Sequence, residues 1–254
     1  MTDAPPRPYT GPLRAVILDW AGTIVDYGSC APAGVFMELF RRRGVPITME
    51  QARAPMGAHK RDHVAAILAM PQVAAMWREL HGRPASDGDI QSIYEELIPL
   101  QLACLAQYAD LIPGTLEAAA EFRRRGLKIG TTTGYNREMI QLLLGEAKRR
   151  GFEPDCAVSV DDVPAGRPHP WMCLQCALQL QVYPWEACVK IGDTAPDVHE
   201  GLNAGMWTVA VAKTGNELGL PQREVEALPP TELKQRLARA HKRLAGAGAH
   251  YVVD

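Results

Sequence analysis

The sequence predicts an α/β fold, a doubly wound, mostly parallel sheet of Rossmann-like design that carries an inserted α-helical cap domain. Three observations carry that reading. Short, continuous apolar runs recur along the chain, as expected of parallel strands covered on both faces. Helical patterns separate those runs, which implies right-handed crossovers between neighbouring strands. Between the first run and the second lie about a hundred residues without a comparable strand, too long for an unstructured connection.

The first strand is expected over Arg14–Leu18. Ahead of it, Pro5, Pro6 and Pro8 mark a disordered lead-in rather than the apolar core of a signal peptide. Helices are expected over Phe36–Arg43, Met49–Ala54, His59–Met70, Pro71–His81 and Asp89–Gln107. A connection of that length must fold on its own, so residues 27–106 are assigned to a helical cap and residues 1–26 and 107–254 to the core. Its entry and exit sit beside the strand ends, which makes the cap a natural lid. The core continues with strands Lys128–Thr132, Ala157–Val160, Cys188–Ile191, Thr208–Val211 and Tyr251–Val253. Helices Gly114–Arg125, Arg137–Arg150, Trp171–Leu180 and Asp197–Ala204 alternate with the first four of these. The basic runs 41–43, 123–125 and 148–150 each close a helical pattern before a glycine, where cations complement the helix dipole.

Composition narrows the class of partner. Lys and Arg number 27 against 29 Asp and Glu, a net charge of −2 over 254 residues. That balance gives no general attraction to nucleic acid or to an anionic membrane. No apolar stretch reaches the ~18–20 residues needed to span a bilayer. Six scattered cysteines fit reduced thiols in a cytoplasmic protein. Cys173 and Cys176 form a C-x-x-C within a helical stretch without a second ligand pair, so they read as buried small side chains.

The chemistry is written at the strand ends. The run Ala15-Val16-Ile17-Leu18 delivers Asp19 into the turn Trp20-Ala21-Gly22-Thr23, and Ile191-Gly192-Asp193-Thr194 repeats the design. Ligands of doubly wound sheets bind at the carboxyl ends of strands. A carboxylate there can attack phosphorus if a cation neutralises the approaching anion. Magnesium prefers oxygen ligands and needs only one or two carboxylates, which Asp19 and Asp193 supply, with the backbone carbonyl of Ala21 as a third ligand. Asp197, one helical turn on, is placed to orient a metal-bound water. Thr133, Gly134 and Tyr135 end a strand and open a helix, offering hydroxyl and backbone N–H groups to phosphate. Arg167, held between Gly166 and Pro168, offers a fixed fork for phosphate oxygens.

Taken in order, Asp19, Thr133, Arg167, Asp193 and Asp197 resemble the motif set of the haloacid dehalogenase superfamily, over nearly the whole core. One departure stands out. Ala21 replaces the second acid that enzymes acting on phosphate esters use to protonate the leaving oxygen. The stretches 20–28, 54–63, 133–139, 160–172 and 203–208 are together similar to the phosphonoacetaldehyde hydrolase branch, from about Arg14 to Tyr251. Members of that branch tend to carry a further helix beyond the position of Asp254.

The resemblance implies a homodimer joined through the cap and a Mg2+ cofactor; the apolar cap residues Met70, Val73, Met76 and Trp77 are candidates either for a subunit interface or for the cap's own core. It further implies that Lys60 forms a Schiff base with an aldehyde, that Asp19 becomes phosphorylated, and that Met56 and Tyr135 lie near the aldehyde. His63 shares a helical face with Lys60 and is a candidate either for a proton shuttle or for packing at the joint of cap and core. Three rivals remain: a magnesium-dependent ester phosphatase or mutase, a dehalogenase, and a non-catalytic phospholigand-binding protein. Ala21 weighs against the first and the paired Asp193 and Asp197 against the second. The completeness of the residue set weighs against the third.

Overall fold

A computed structural model describes residues 10–254, so the proline-rich lead-in falls outside the described residues. Six strands form one sheet: β1 (Ala15–Leu18), β2 (Lys128–Thr133), β3 (Cys156–Ser159), β4 (Cys188–Gly192), β5 (Trp207–Val211) and β6 (Tyr251–Val253). Their spatial order is β3-β2-β1-β4-β5-β6 and every pairing is parallel. The chain therefore winds outward from β1 in both directions. The carboxyl ends of β1, β2 and β4 lie side by side at the point where the winding reverses, which is where such sheets hold ligands.

Alternate residues of β1 face opposite sides of the sheet. Val16 and Leu18 join one buried apolar cluster, and Ala15 and Ile17 join another with Met172, Cys173 and Cys176. Both faces are covered, which is why the strand reads as an unbroken apolar run. Helices α6 (Thr115–Arg124), α7 (Arg137–Arg149), α8 (Trp171–Gln179) and α9 (Ala195–Asn203) fall where the sequence places them. Cys173 and Cys176 are fully buried on α8.

Five helices precede α6 in the connection from β1 to β2 and make up the insert: α1 (Cys30–Arg42), α2 (Met49–Arg53), α3 (Lys60–Ala69), α4 (Pro71–His81) and α5 (Asp87–Leu105). Helix α1 begins six residues before the expected Phe36. The Asp26 carboxylate accepts from the backbone N–H groups of Cys30 (2.9 Å) and Ala31 (3.0 Å), supplying an N-terminal cap, and Pro32 sits in the first turn where no donor is needed. The largest apolar cluster runs without a break from insert residues Phe36, Phe40, Trp77 and Leu97 to sheet-side residues Trp20, Ile129 and Met139. Val73 and Trp77 are fully buried within that cluster, so they are core of this chain and do not present a surface to a partner. Met70 and Met76 are only half-buried.

Two helices were not anticipated, α10 (Gln222–Ala227) and α11 (Pro230–Gly246). Helix α11 packs against β6 and buries Ala240 and Leu244. Among the described residues, no helix is long and apolar enough to cross a membrane.

Candidate active site

The three adjoining strand ends bring Asp19, Thr133 and Asp193 to one pocket. The backbone N–H of Asp19 donates to Ile191 O at 2.8 Å, so the turn after β1 is fixed to the end of β4. Gly22 permits this closeness. Its φ of +81° is in the left-handed region, and a Cβ there would overlap the Asp193 carboxylate. From the insert, the loop between α2 and α3 descends on the same place. A Cβ on Gly134 would meet Ala58 O at 2.7 Å, so the two backbones can pack only because residue 134 has no side chain.

The pocket is lined by Asp19, Ala21, Thr133, Gly134, Tyr135, Arg167 and Asp193 from the sheet side, and by Met56, Gly57, Ala58 and Lys60 from the insert. Ser29 and Thr194 complete it. His63 and Asp197 do not line it.

Asp19, Asp193 and Asp197 each present an oxygen within 4.8 Å of the others. Burial raises the pKa of Asp19, with the neighbouring charge of Asp197 adding to it and Arg167 opposing. Asp193 is raised well above the ordinary carboxylate range by burial, then by the charges of Asp19 and Asp197. One of its oxygens accepts from the Asn216 backbone N–H at 2.7 Å, while Oδ1 is buried with no hydrogen-bond partner. Crowded, desolvated carboxylates with an unpaired oxygen are what a divalent cation relieves. This cluster can hold a metal ion.

Arg167 sits behind Asp19 as a buried fork. Nη2 donates to Asp19 Oδ1 (2.6 Å) and to Thr132 O (3.1 Å), and Nε donates to Glu200 Oε2 (2.8 Å). Burial opposes its charge, but Asp19, Asp197 and Glu200 more than restore it, so it stays protonated. Lys190 from β4 lies in the same layer, 2.9 Å from Asp197 Oδ1 and 3.2 Å from Glu200 Oε2. Burial alone would raise Asp197, yet Arg167 and Lys190 hold it below its ordinary value. Asp197 also accepts from Thr194 Oγ1 at 2.5 Å, within the capping box that starts α9. It is thus paired with cations behind the pocket.

Lys60, at the start of α3, is buried with its Nζ 4.9 Å from the Tyr135 ring centroid and 5.6 Å from that of Phe36. Desolvation lowers its pKa to about 8, with the pull of Asp19 and the push of Arg167 as smaller influences. His63 is stacked on Phe36 at 3.9 Å between centroids, and its Nε2 lies 2.8 Å from Ala52 O. A carbonyl can only accept, so Nε2 carries the proton. Nδ1 is buried without a partner. Burial, aided by the Lys60 charge, lowers the ring's pKa to about 3.

A buried carboxylate, a cation fork and an acid cluster that could hold a metal are the parts that phosphoryl transfer requires. The model of haloacid dehalogenase-like hydrolases matches residues 13–205. The chain belongs to that family.

Relatives of this hydrolase narrow the branch. The chain is 51% identical to phosphonoacetaldehyde hydrolase of Syntrophobacter fumaroxidans, over 98% of this chain and 90% of that protein. It is 50% identical to phosphonoacetaldehyde hydrolase of Bacillus cytotoxicus, over 95% of this chain and 92% of that one. Among solved structures, the phosphonoacetaldehyde hydrolase-like protein of Oleispira antarctica aligns with a TM-score of 0.94 at 42% identity, covering 96% of this chain and 88% of its own. The branch resemblance read from the sequence is borne out by these similarities. Lys190, Glu200 and Ser29 were missed by sequence reasoning. Only Glu200 carried a signal: at three residues beyond Asp197 it shares that residue's helix face.

Proposed function

We propose that this hydrolase cleaves the carbon–phosphorus bond of phosphonoacetaldehyde to acetaldehyde and phosphate, in the degradation of 2-aminoethylphosphonate. The observation that carries the reading is a buried lysine of lowered pKa in the pocket that also holds Asp19, Arg167 and the acid cluster, with Ala21 where an ester phosphatase needs its acid. An expelled carbanion gains little from a carboxylic acid at residue 21. An electron sink at carbon serves it.

Neutral Lys60 adds to the aldehyde, and the resulting carbinolamine takes up a proton and loses water to give an iminium ion. Asp19 then attacks phosphorus. The electrons of the breaking carbon–phosphorus bond move onto the iminium, leaving an enamine on Lys60 and an acyl phosphate on Asp19. Water hydrolyses the acyl phosphate. Protonation of the enamine and hydrolysis of the imine free acetaldehyde and Lys60. Arg167, Thr133 and the N–H groups of Gly134 and Tyr135 bind the phosphonate oxygens, and Met56 and Tyr135 wall the aldehyde. His63, placed between Ala52 and Phe36, supports the Lys60 helix in this reading, with proton shuttling left to groups that reach the pocket.

Asp19, Asp193 and the carbonyl of Ala21 would hold Mg2+, with Asp197 behind them. When bound, the ion supplies charge neutralisation for the attack of Asp19 on an anionic phosphonate. The same reading takes residues 27–106 as a cap that closes over the core, a homodimer, and residence in the cytoplasm, the last supported by six free cysteines.

The experiment is borohydride trapping in the presence of phosphonoacetaldehyde and magnesium, followed by peptide mass mapping. A reduced two-carbon adduct on Lys60 with loss of activity is expected. Release of phosphate from simple esters, with no adduct, would move the chain to the ester phosphatases.

A further inference from the structure

Arg53 ends α2 in the insert and forms no ion pair among the described residues. Its guanidinium instead gathers neutral oxygens from two separate parts of the chain. Nη1 donates to Gly28 O (2.8 Å), Ser29 O (3.2 Å) and Asn216 Oδ1 (3.0 Å), and Nη2 donates to Gly219 O (2.9 Å). Gly28 and Ser29 lie in the segment that leads from β1 into α1; Asn216 and Gly219 lie in the loop after β5. Converging carbonyls carry partial negative charge, and the several donors of one guanidinium can satisfy them together.

The contact is reciprocal, since Asn216 Nδ2 donates back to Arg53 O at 3.4 Å. Gly219 lies flat beneath the guanidinium; a Cβ there would meet its central carbon at 3.0 Å, with φ at +66°. Asn216 in turn holds Asp193, through the 2.7 Å bond from its backbone N–H to Oδ2. One side chain of the insert is thus two contacts away from the acid cluster, by a route separate from the pocket wall. Met56, Gly57 and Lys60, which follow Arg53 within seven residues, enter the pocket from the same side.

We propose that Arg53 is a positioning residue that couples the seating of the insert to the setting of the Asp193 carboxylate. Seating the α2–α3 loop brings Lys60 over Asp19, and the same movement docks Arg53 on Asn216 and fixes the N–H that holds Asp193. The chemical consequence rests on the reaction proposed above; the mechanical coupling does not.

Hydrogen–deuterium exchange on the full chain, wild type against Arg53→Ala and Arg53→Lys, tests it alongside steady-state kinetics on phosphonoacetaldehyde. In Arg53→Ala, exchange in the segment 214–219 should quicken at least tenfold while β4 keeps its protection. Turnover should fall at least tenfold, mainly in kcat, and Arg53→Lys should recover part of both effects. Unchanged exchange at 214–219 overturns the proposal, and so does faster exchange with unchanged kcat. Should the alanine variant lose protection throughout, the lysine variant decides by the same two criteria. A wild type that does not turn over phosphonoacetaldehyde would sink the proposed reaction, and the exchange criterion would then decide the coupling alone.

Discussion

Lys60 stands over Tyr135, Nζ 4.9 Å from the ring centroid, and both side chains are buried. The ring face gives the ammonium some electrostatic return, on the order of 1–2 kcal/mol. That is less than burial takes away, so the amine falls to about 8. At pH 7.5 roughly a quarter of such a lysine is neutral, against about one part in a thousand for an ordinary one. The rate of borohydride trapping at Lys60 should therefore rise with pH and level off near 8. A rate still climbing at pH 10 would mean an unshifted amine.

The same burial costs stability. The folded state releases the Lys60 proton near pH 8, and the unfolded chain near 10.5. Below pH 8 the penalty is complete, about 3 kcal/mol, and it fades as pH rises from 8 to 10.5 because the unfolded chain then holds more protons. Lys60→Met should abolish turnover and yet raise urea resistance at pH 7, with the gain shrinking at pH 9 to 10. Equal stability of both proteins at pH 7 would show that the pocket does not desolvate the amine.

His63 acts in the opposite pH range. Its pKa of about 3 lies below the ordinary 6.5, so the unfolded chain takes up the proton first as pH falls. Stability should drop between pH 6.5 and 3 by about 5 kcal/mol from this residue alone. His63→Gln, which can still donate to Ala52 O, should flatten that part of the acid-unfolding curve. Parallel curves for the two proteins would reject a buried neutral ring.

Much of the fold and of the pocket was legible because it is local. Asp19 and Asp193 announce themselves by following apolar strands, and Gly22 and Gly134 by the turns they open. All six strands fell within about one residue of expectation, since most of these parallel strands write themselves as short apolar runs, β2 with its three threonines excepted. The layer behind the pocket was not legible. Lys190 looks like an exposed residue in an apolar strand until Glu200 and Asp197 are brought across from α9, and Arg53 reads as a helix-end cation until Asn216 arrives from 163 positions away. Helix α11 could have been found, because Pro230 at its start and Leu233, Leu237, Ala240 and Leu244 keep helical spacing. For Val73 and Trp77 the sequence left interface and core open, because an apolar helix face looks the same whether its own chain or a partner covers it; the structure puts both in the core.

Arg167 should not tolerate lysine. Its two ends serve different masters, Nε holding Glu200 and Nη2 reaching Asp19, and one ammonium cannot span both. Arg167→Lys should lower kcat/KM about a hundredfold, equivalent to about 2.7 kcal/mol of transition-state stabilisation. A variant within threefold of wild type would reduce Arg167 to a simple counter-charge.

Metal binding should appear in stability before it appears in rate. Asp19 is pushed up by burial and by Asp197, and Asp193 by burial and then by Asp19 and Asp197, so without a cation the folded state carries an unrelieved electrostatic cost. Asp193→Asn removes one of those charges and should make the metal-free protein more thermostable than metal-free wild type. Magnesium should reverse the order. Binding at a hundred times Kd contributes about 2.7 kcal/mol, a rise in Tm of roughly 5–10 °C for a chain of this length. Asp193→Asn, lacking one carboxylate ligand, should gain little. Differential scanning calorimetry of both proteins with EDTA and with excess magnesium reads all four states. If magnesium moves both Tm values equally, the ion binds elsewhere and the cluster of Asp19, Asp193 and Asp197 is not its site.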